Sequence, residues 1–270
     1  MNELRLALLQ CASAPGEVAL NLQRLDHACR EAAAAGMHLL VTPEMFLTGY
    51  NIGRDAAAQF AEPPGGPRTV AAGEIARRHR LAIVFGHPEH DDTGAVCNTC
   101  VGVDADGRVL GRHRKSHLFG DLDQGMFNAG RGDEPPFDFH GWKVGMLICY
   151  DVEFPENARR LALEGADLLV VPTANMEGYD FVPRHLVPTR AYENQLFVAY
   201  ANFCGQEADI TYDGLSCVAA PDGAVLAQAA RDPSLVFARL DQSRLAAARQ
   251  HLGHLALCRA LHDADPAAAD

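Results

Sequence analysis

The sequence predicts an α/β protein built as a four-layer α-β-β-α sandwich. Each half of the 270-residue chain has the order strand, helix, strand, long loop, helix, strand, strand, turn and strand. The leading strands of both halves are apolar throughout, as strands are when both faces of their sheet are covered. Two mixed sheets packed face to face, with helices outside, satisfy both observations. Because the sheets would share the middle layer, we expect one domain over residues 1–250 and a C-terminal tail over residues 251–270.

The elements of the first half follow from apolar runs and turn signals. Strand-length apolar runs predict strands near residues 4–10, 38–42, 81–86, 96–103 and 109–114. Apolar residues at helical spacing predict one helix that ends at Gly36 and another over residues 68–79. The pair Asp106-Gly107 is typical of a tight hairpin between the last two strands.

The second half repeats this order with different residues. Apolar runs predict strands near residues 144–148, 168–171, 196–201, 215–220 and 224–228. A helix is expected between Pro155, which suits a first helical turn, and Gly165, which suits a left-handed cap. Further helices are predicted over residues 184–193 and from Ser243 onward, and the end after His262 is expected to be a loose tail.

Composition excludes several classes of protein. Hydrophobic content of 48% and charged content of 21% are ordinary for a soluble globular protein. A net charge of -12 argues against a nucleic-acid partner, which would need a basic face. Eight cysteines are too few for a disulfide scaffold of this length. With no signal-peptide pattern and no apolar run of membrane-spanning length, we expect a cytoplasmic enzyme without a membrane partner.

Cys149 stands at the end of a predicted buried strand, directly before a tight turn into a helix. Parallel sheets present reactive groups at the C-terminal ends of their strands. A single strand cysteine most often only packs. Chemical partners elsewhere in the chain must therefore decide whether Cys149 is a nucleophile.

Glu44 and Lys115 follow two other predicted strands and are candidate partners of Cys149. A carboxylate can remove the thiol proton, the thiolate can attack a carbonyl carbon, and an ammonium can stabilise the resulting oxyanion. A nearby cation also lowers the pKa of a thiol, so we expect a thiolate near neutral pH. Taken singly, Glu44 is typical of a surface carboxylate and Lys115 of a solvated charge run.

Three short motifs occur in an order that resembles a known family. Residues 43–46 (PEMF), 114–119 (RKSHLF) and 149–151 (CYD) are similar to the catalytic signatures of the nitrilase superfamily of carbon–nitrogen hydrolases. The resemblance covers residues 4–240 and implies the same four-layer sandwich. It implies Glu44 as general base, Lys115 as oxyanion donor and Cys149 as nucleophile, with no metal or organic cofactor. It also implies assembly as a homodimer or larger homo-oligomer.

Further site residues follow from the same resemblance. The Tyr150 backbone N–H is implied as a second oxyanion donor, and Asn175 and Tyr50 as substrate-binding residues. Many family members have a second glutamate eight residues after the lysine. Asp123, a shorter carboxylate, occupies that position here and is assigned the orienting role, with the nearby Asp121 as the alternative.

Four longer stretches resemble the 5-aminopentanamidase group of aliphatic amidases. They are residues 43–53 (PEMFLTGYNIG), 151–166 (DVEFPENARRLALEGA), 171–176 (VPTANM) and 199–205 (AYANFCG). The implied substrate is a small ω-amino amide, whose ammonium needs a carboxylate or an aromatic face. Candidate groups at the rim of the pocket are Tyr50, Glu177, Tyr179, Asp180, Glu207 and Asp209, although these acids are equally typical of an acidic surface.

Other interpretations remain open at this point. A nitrilase or an N-carbamoyl amide hydrolase would use the same carbonyl chemistry. Cys97-x-x-Cys100 could instead indicate a non-hydrolytic thiol redox or zinc-binding protein, although two thiols at this spacing on a strand point to opposite faces. Arg190 and Glu193 are expected to form a structural ion pair behind the Cys149 loop.

Overall fold

A computed structural model describes residues 3–264, and the side chains of residues 3–260. It has the predicted four layers, with two six-stranded mixed sheets packed face to face between helices. Among the described residues, no helix is long and apolar enough to cross a lipid bilayer.

The first half of the chain supplies one sheet and its covering helices. Its strands are β1 (Glu3–Gln10), β2 (Leu39–Val41), β3 (Ala82–His90), β4 (Val96–Val103) and β5 (Val109–Arg114). Its helices are α1 (Val18–Ala34), α2 (Gly53–Phe60), α3 (Pro67–His79) and α4 (Gly120–Met126).

The second half supplies the other six-stranded sheet, a separate two-stranded sheet and the sixth strand of the first sheet. Its strands are β6 (Phe137–Phe139), β7 (Trp142–Met146), β8 (Leu168–Thr173), β9 (Phe197–Asn202), β10 (Cys204–Glu207), β11 (Ile210–Asp213), β12 (Cys217–Ala219), β13 (Val225–Gln228) and β14 (Ser234–Asp241). Strands β10 and β11 form the two-stranded sheet, and β14 belongs to the first sheet. Its helices are α5 (Pro155–Leu163), α6 (Val187–Asn194), α7 (Gln242–His251) and α8 (His254–Ala264). A 3₁₀ turn (Cys149–Glu153) precedes α5, and a π-helical turn (Val182–Leu186) precedes α6.

The pairing of the strands confirms the predicted repeat of topology. The order β1-β2-β3-β4-β5 in one sheet matches β7-β8-β9-β12-β13 in the other. In both, the first two pairings are parallel and the next two are antiparallel. Each leading strand gains one antiparallel neighbour, β14 beside β1 and β6 beside β7. The parallel strands bring several loops to the same end of the two sheets.

Three apolar layers hold the sandwich together. Side chains of both sheets, such as Leu6 and Val170, form the middle layer. One outer layer packs the first sheet against α1 and α3, and the other packs the second sheet against α5, α6 and α8. The loops that carry chemistry therefore project from a rigid base.

The structure contains several elements that are not predicted from the sequence. Helices α2 and α4 are short, and the β10–β11 hairpin is a small separate sheet. Strand β14 alternates exposed and buried residues from Phe237 to Asp241, which is a period-two signal that the sequence does carry. Residues 251–270, expected as a tail, include helix α8, in which Leu255 is buried. The expected loose end after His262 lies for the most part outside the described residues.

Candidate active site

Strand β7 ends at Met146, and Cys149 begins the 3₁₀ turn that follows it. The Cys149 backbone has the left-handed φ of 46°, which is uncommon for a residue other than glycine and persists where the surrounding structure enforces it. Arg190 supplies part of that support, because its guanidinium donates to the carbonyls of Val152 (2.9 Å) and Glu153 (2.6 Å). It also pairs with Glu193 at 2.9 Å, which confirms the structural role expected for this pair.

Glu44 lies in the loop after β2, and contacts from both sheets hold it there. Its backbone N–H donates to the carbonyl of Thr173, the last residue of β8, at 3.2 Å. The next residue, Met45, has a left-handed φ of 52°. Gly86 of β3 permits this turn, because a Cβ at Gly86 would come within 2.4 Å of the Met45 backbone nitrogen.

A buried charge cluster forms around Lys115. Its ammonium lies 2.7 Å from Glu44 Oε1 and 2.7 Å from Asp123 Oδ2. The Asn98 side-chain amide donates to the same Glu44 oxygen at 2.7 Å. Glu44, Lys115 and Asp123 are each at most 1% exposed. Within the described part of the chain, Glu44 Oε2 has no hydrogen-bond partner and is free to accept a proton.

Glu44 and Lys115 both have shifted pKa values. Burial alone would lower the pKa of Lys115, but the charges of Glu44, Tyr50 and Asp123 raise it well above its ordinary value. Burial raises the pKa of Glu44, with Asp123 adding to the effect and Lys115 opposing it. The ammonium is therefore permanent, and the Glu44 carboxyl is a stronger base than an exposed glutamate.

The Cys149 thiol differs from the expectation of a resting thiolate. Burial and the charge of Glu44 raise the pKa of the thiol above its ordinary value. Lys115 and hydrogen bonds from Thr173 and Ala174 lower it, but by less. The predicted net lowering of the thiol pKa by a nearby cation is wrong, because burial of the thiol and the charge of Glu44 outweigh the effect of Lys115. The resting nucleophile is a neutral thiol that needs a base.

Asp151 joins the Lys115 segment to the Cys149 turn. Its carboxylate accepts from the backbone N–H groups of Ser116 (3.2 Å), His117 (2.8 Å) and Ile148 (3.2 Å). It also accepts from the Ser116 hydroxyl at 2.8 Å and lies 2.9 Å from His113 Nε2. We call His113, Ser116, His117 and Asp151 the linking network. It ties the Lys115 segment to the Cys149 turn.

A small pocket opens above Cys149. Its lining consists of Tyr50, Phe119, Cys149, Tyr150, Glu153, Ala174, Asn175, Met176 and Tyr179. The buried Tyr50 ring also has its centroid 5.5 Å from Lys115 Nζ. The Asn175 side-chain amide donates to the Tyr179 carbonyl at 3.2 Å and so fixes the shape of the wall. Tyr50, Tyr150 and Asn175, predicted as binding residues, thus all reach the pocket beside Cys149.

The two candidate second carboxylates differ sharply. Asp123 is fully buried against Lys115, and its Oδ2 also accepts from the Phe119 N–H at 2.8 Å. Asp121 is exposed at the start of α4. Helix α4 turns the shorter Asp123 side chain toward Lys115, so a carboxylate does contact the ammonium at this position.

The acids expected at the rim do not line the pocket. Glu207 is buried, and it accepts from the N–H groups of Tyr50 (3.1 Å) and Asn51 (3.0 Å) and from the Tyr212 hydroxyl (2.5 Å). Its role is to hold the Tyr50 loop. Asp209 accepts from the Asn51 side chain at 3.0 Å. Asp180 pairs with Arg184 at 3.3 Å, and Glu177 is exposed.

Cys97 and Cys100 do not converge with other ligands. Both are buried thiols on β4, and Cys100 packs in the middle layer with its sulfur 3.9 Å from Met146 Sδ. Within residues 3–260, no three His, Cys, Asp or Glu side chains are grouped as a metal site. His113 and His117 belong to the linking network instead.

Three residues of the site carry only weak signals in the sequence. Asn98 and Thr173 are polar residues within buried strands, and such residues need partners. Asn98 contacts Glu44, and Thr173 contacts the Cys149 thiol. Glu153 stands four residues after Cys149 in a motif stretch, but only the tertiary structure brings it into the pocket.

Comparison with known proteins agrees with this geometry. The family model described as carbon-nitrogen hydrolase matches residues 5–250. The chain is 49% identical over 97% of its length to a hydrolase in the pqqF 5′ region of Pseudomonas protegens, covering 90% of that protein. It is 35% identical over 93% of its length to an (R)-stereoselective amidase of Pseudomonas sp., covering 90% of that enzyme.

A solved structure gives the same result. It is a mutant of the amidase from Nesterenkonia sp. AN1 that shows covalent addition of the acetamide moiety of fluoroacetamide at its active-site cysteine. It superimposes with a TM-score of 0.80 at 32% identity, covering 90% of this chain and 92% of that one. Fold, family model and relatives all agree, and the chain belongs to the nitrilase superfamily of carbon–nitrogen hydrolases.

Proposed function

We propose that this chain is an amidase that hydrolyses a small aliphatic amide to a carboxylate and ammonia. The observation that supports it most is the Lys115 ammonium between the carboxylates of Glu44 and Asp123, at 2.7 Å from each, with the Cys149 thiol within reach of their charges. A similar relative is named as an amidase, and another carries a covalent acetamide group on its cysteine.

In the first step, Glu44 takes the thiol proton as the Cys149 sulfur attacks the amide carbonyl carbon. The free Oε2 oxygen and the raised pKa of Glu44 suit this role. The tetrahedral intermediate then collapses, the carbon–nitrogen bond breaks, and Glu44 returns the proton to the departing ammonia. A thioester between the acyl group and Cys149 remains.

In the second step, water cleaves this thioester. Glu44 removes a proton from the water, the resulting hydroxide attacks the thioester carbon, and the proton returns to the Cys149 sulfur as the carboxylic acid leaves. Amide and water are thus converted into carboxylic acid and ammonia, which exchange a proton in water to give carboxylate and ammonium, and the enzyme returns to its starting state. The residues present need no redox partner for either step.

The oxyanion of both intermediates is assigned to Lys115 and the Tyr150 backbone N–H. An ammonium has three N–H donors, and two of those of Lys115 bond to Glu44 and Asp123. The third is left for the substrate oxygen. Because both carboxylates hold the ammonium in place, it does not have to reorient when charge develops on the oxygen.

Within this reaction class we propose an ω-amino amide such as 5-aminopentanamide as substrate. The resemblance of four stretches to 5-aminopentanamidases supports this choice, and so does a pocket whose wall combines aromatic rings with one carboxylate. A nitrile or an N-carbamoyl amino acid is the alternative substrate, since either would undergo the same attack by sulfur.

An ammonia-release assay tests the proposal with 5-aminopentanamide, pentanamide, pentanenitrile and an N-carbamoyl amino acid. We expect turnover of the amides and an acyl mass on the Cys149 peptide after brief exposure to substrate. Cys149→Ala should lose all turnover, whereas Cys217→Ala, which removes a buried thiol from another layer, should keep it. Faster turnover of the nitrile or the carbamoyl compound would overturn the assignment as an amidase.

We also propose that the protein works as a homodimer in the cytoplasm. Eight free thiols are in keeping with a reducing compartment. The small residues Ala158 and Ala162 of α5 are fully buried within the chain and therefore do not form the dimer surface. Light scattering should give about twice the chain mass of 29.1 kDa, and a mass near 29.1 kDa at micromolar concentration would contradict the proposal.

A further inference from the structure

Glu153 carries the one carboxylate in the lining of the pocket above Cys149, among the residues that the structure describes. It ends the 3₁₀ turn that begins with Cys149, so one short segment contains both the nucleophile and this acid. The side chain is half-buried. Its carboxylate has no hydrogen bond or ion pair to any described residue.

The nearest cations do not neutralise Glu153 directly. The Arg190 guanidinium bonds to the Glu193 carboxylate and to two backbone carbonyls, one of which belongs to Glu153 itself. Lys115 is already held by Glu44 and Asp123. Burial raises the pKa of Glu153, while Arg190 and Lys115 oppose the rise from a distance. A half-buried carboxylate without a partner is stabilised when a cation binds beside it.

Aromatic rings complete this part of the pocket. The Phe119 ring meets the rings of Tyr150 and Tyr179 edge-on, with centroids 5.4 Å and 5.6 Å apart. We call Phe119, Tyr150, Glu153 and Tyr179 the outer wall. Aromatic faces beside a carboxylate are the combination that attracts an ammonium group. An apolar or anionic ligand end would leave the Glu153 charge unpaired.

We propose that Glu153 is the specificity-determining residue that binds the terminal ammonium of the substrate, with the rings of the outer wall around it. The inference rests on the proposed amidase function and adds the residue that selects for the amino group. Glu153 takes no part in the chemical step. Removing its charge should therefore lower kcat/KM for cationic substrates and leave kcat/KM for neutral substrates unchanged.

The test compares 5-aminopentanamide with hexanamide, in which a methyl group replaces the ammonium. In Glu153→Gln, the ratio of kcat/KM for the two amides should fall at least about tenfold, which is the effect of losing a hydrogen bond to a charged group. Hexanamide turnover should stay within about twofold of the parent, in the range of a substitution that touches no bonded group. Glu177→Gln is the matched control, because it removes the same charge from an exposed neighbouring position and should not change the ratio.

Different outcomes separate this inference from the proposed function. Glu153 does not select the ammonium if Glu153→Gln lowers kcat/KM equally for both amides. The same conclusion follows if Glu177→Gln lowers the ratio of kcat/KM as much as Glu153→Gln does. In both cases the amidase function stands. If no amide is turned over, the proposed function fails. In that case, calorimetry still tests Glu153. It measures the affinity of 5-aminopentanamide for Cys149→Ala and for Cys149→Ala/Glu153→Gln. Equal affinities would overturn the inference, and an affinity about tenfold weaker in the double variant would support it.

Discussion

The buried charge cluster and the outer wall of the pocket both contain carboxylates, but their surroundings differ. Glu44 and Asp123 are fully buried and share one ammonium at 2.7 Å. Glu153 is half-buried and has no such partner among residues 3–260. Removing one member of a buried ion pair leaves an uncompensated charge, whereas neutralising an unpaired acid leaves none.

This difference fits the two functions proposed for one site. The charges assigned to the chemistry are compensated before substrate arrives, so they should keep the same position through both proposed steps. The charge assigned to recognition is left open, and a ligand can supply its partner. Substitutions in the cluster should therefore affect stability and kcat together, and substitutions in the outer wall should affect substrate preference alone.

Lys115→Met is the strongest way to break the cluster. It leaves the Glu44 and Asp123 carboxylates buried and mutually repelling, so the free energy of unfolding should fall by about 3–5 kcal/mol. The loss of an oxyanion donor should lower kcat by about a hundredfold or more. Urea unfolding and saturation kinetics measure the two effects. Glu153→Gln, as the comparison, should change the free energy of unfolding by no more than about 0.5 kcal/mol.

A different result for Lys115→Met would change the role of this residue. A loss confined to KM would make Lys115 a residue of substrate binding only. Equal stability of Lys115→Met and the parent would mean that the two carboxylates are protonated in the folded protein. The comparison between cluster and outer wall would then fail.

Asp123→Asn sharpens the comparison with a smaller change. The asparagine side chain can still accept from the Phe119 N–H, but the substitution removes one of the two negative charges that hold the Lys115 ammonium. We expect kcat to fall about tenfold, less than for the lysine itself. Asp121→Asn, an exposed control two residues away, should have the activity of the parent. Full activity in Asp123→Asn would remove this carboxylate from the mechanism.

Within the linking network, His113 should make the free energy of unfolding depend on pH without a change in the chemistry. Burial would lower the pKa of His113, but Asp151 and Glu134 raise it from 6.5 to about 9. Because the folded value lies above the ordinary one, the proton of His113 stabilises the fold fully below about 6.5. That contribution, about 1–3 kcal/mol, is lost as the pH rises through about 9.

Unfolding titrations from pH 6 to pH 10 measure this slope. The parent should lose stability over the interval from roughly 6.5 to 9, and His113→Gln should be less stable at pH 6 but flatter above it. His27→Gln removes an exposed histidine and should keep the slope of the parent. An identical slope in His113→Gln would show that another group titrates.

Much of the fold could be predicted because its signals are local. Apolar runs mark the buried leading strands, and Pro155 and Gly165 mark the limits of α5 within two residues. The signals fail for short pieces such as α4, where seven residues contain two glycines and little helical spacing. Helix α8 has a weak local signal, because the partners that bury its Leu255 lie in segments distant in sequence, such as α5 and α6.

By itself, the sequence determined the architecture, and it predicted Glu44, Lys115 and Cys149 as catalytic residues, since each follows a predicted strand within one of the three short motifs. Only the tertiary structure decided their electrostatics. Glu44 and Lys115 are 71 residues apart in sequence, and their contact depends on how the sheet pairs. Burial, which no short motif encodes, raises the pKa of the Cys149 thiol where the nearby cation alone predicts a lowering.

The same reason explains the assignment of the acids. Composition shows an excess of negative charge, but it cannot distinguish a carboxylate that already has partners from one that does not. The fold gives Glu207 three hydrogen-bond donors from the Tyr50 loop and the β10–β11 hairpin, and it turns Asp123, not Asp121, toward Lys115. Among the described residues, it leaves the Glu153 carboxylate without a hydrogen-bond or ion-pair partner, because the Arg190 guanidinium is already bonded to Glu193 and to backbone carbonyls.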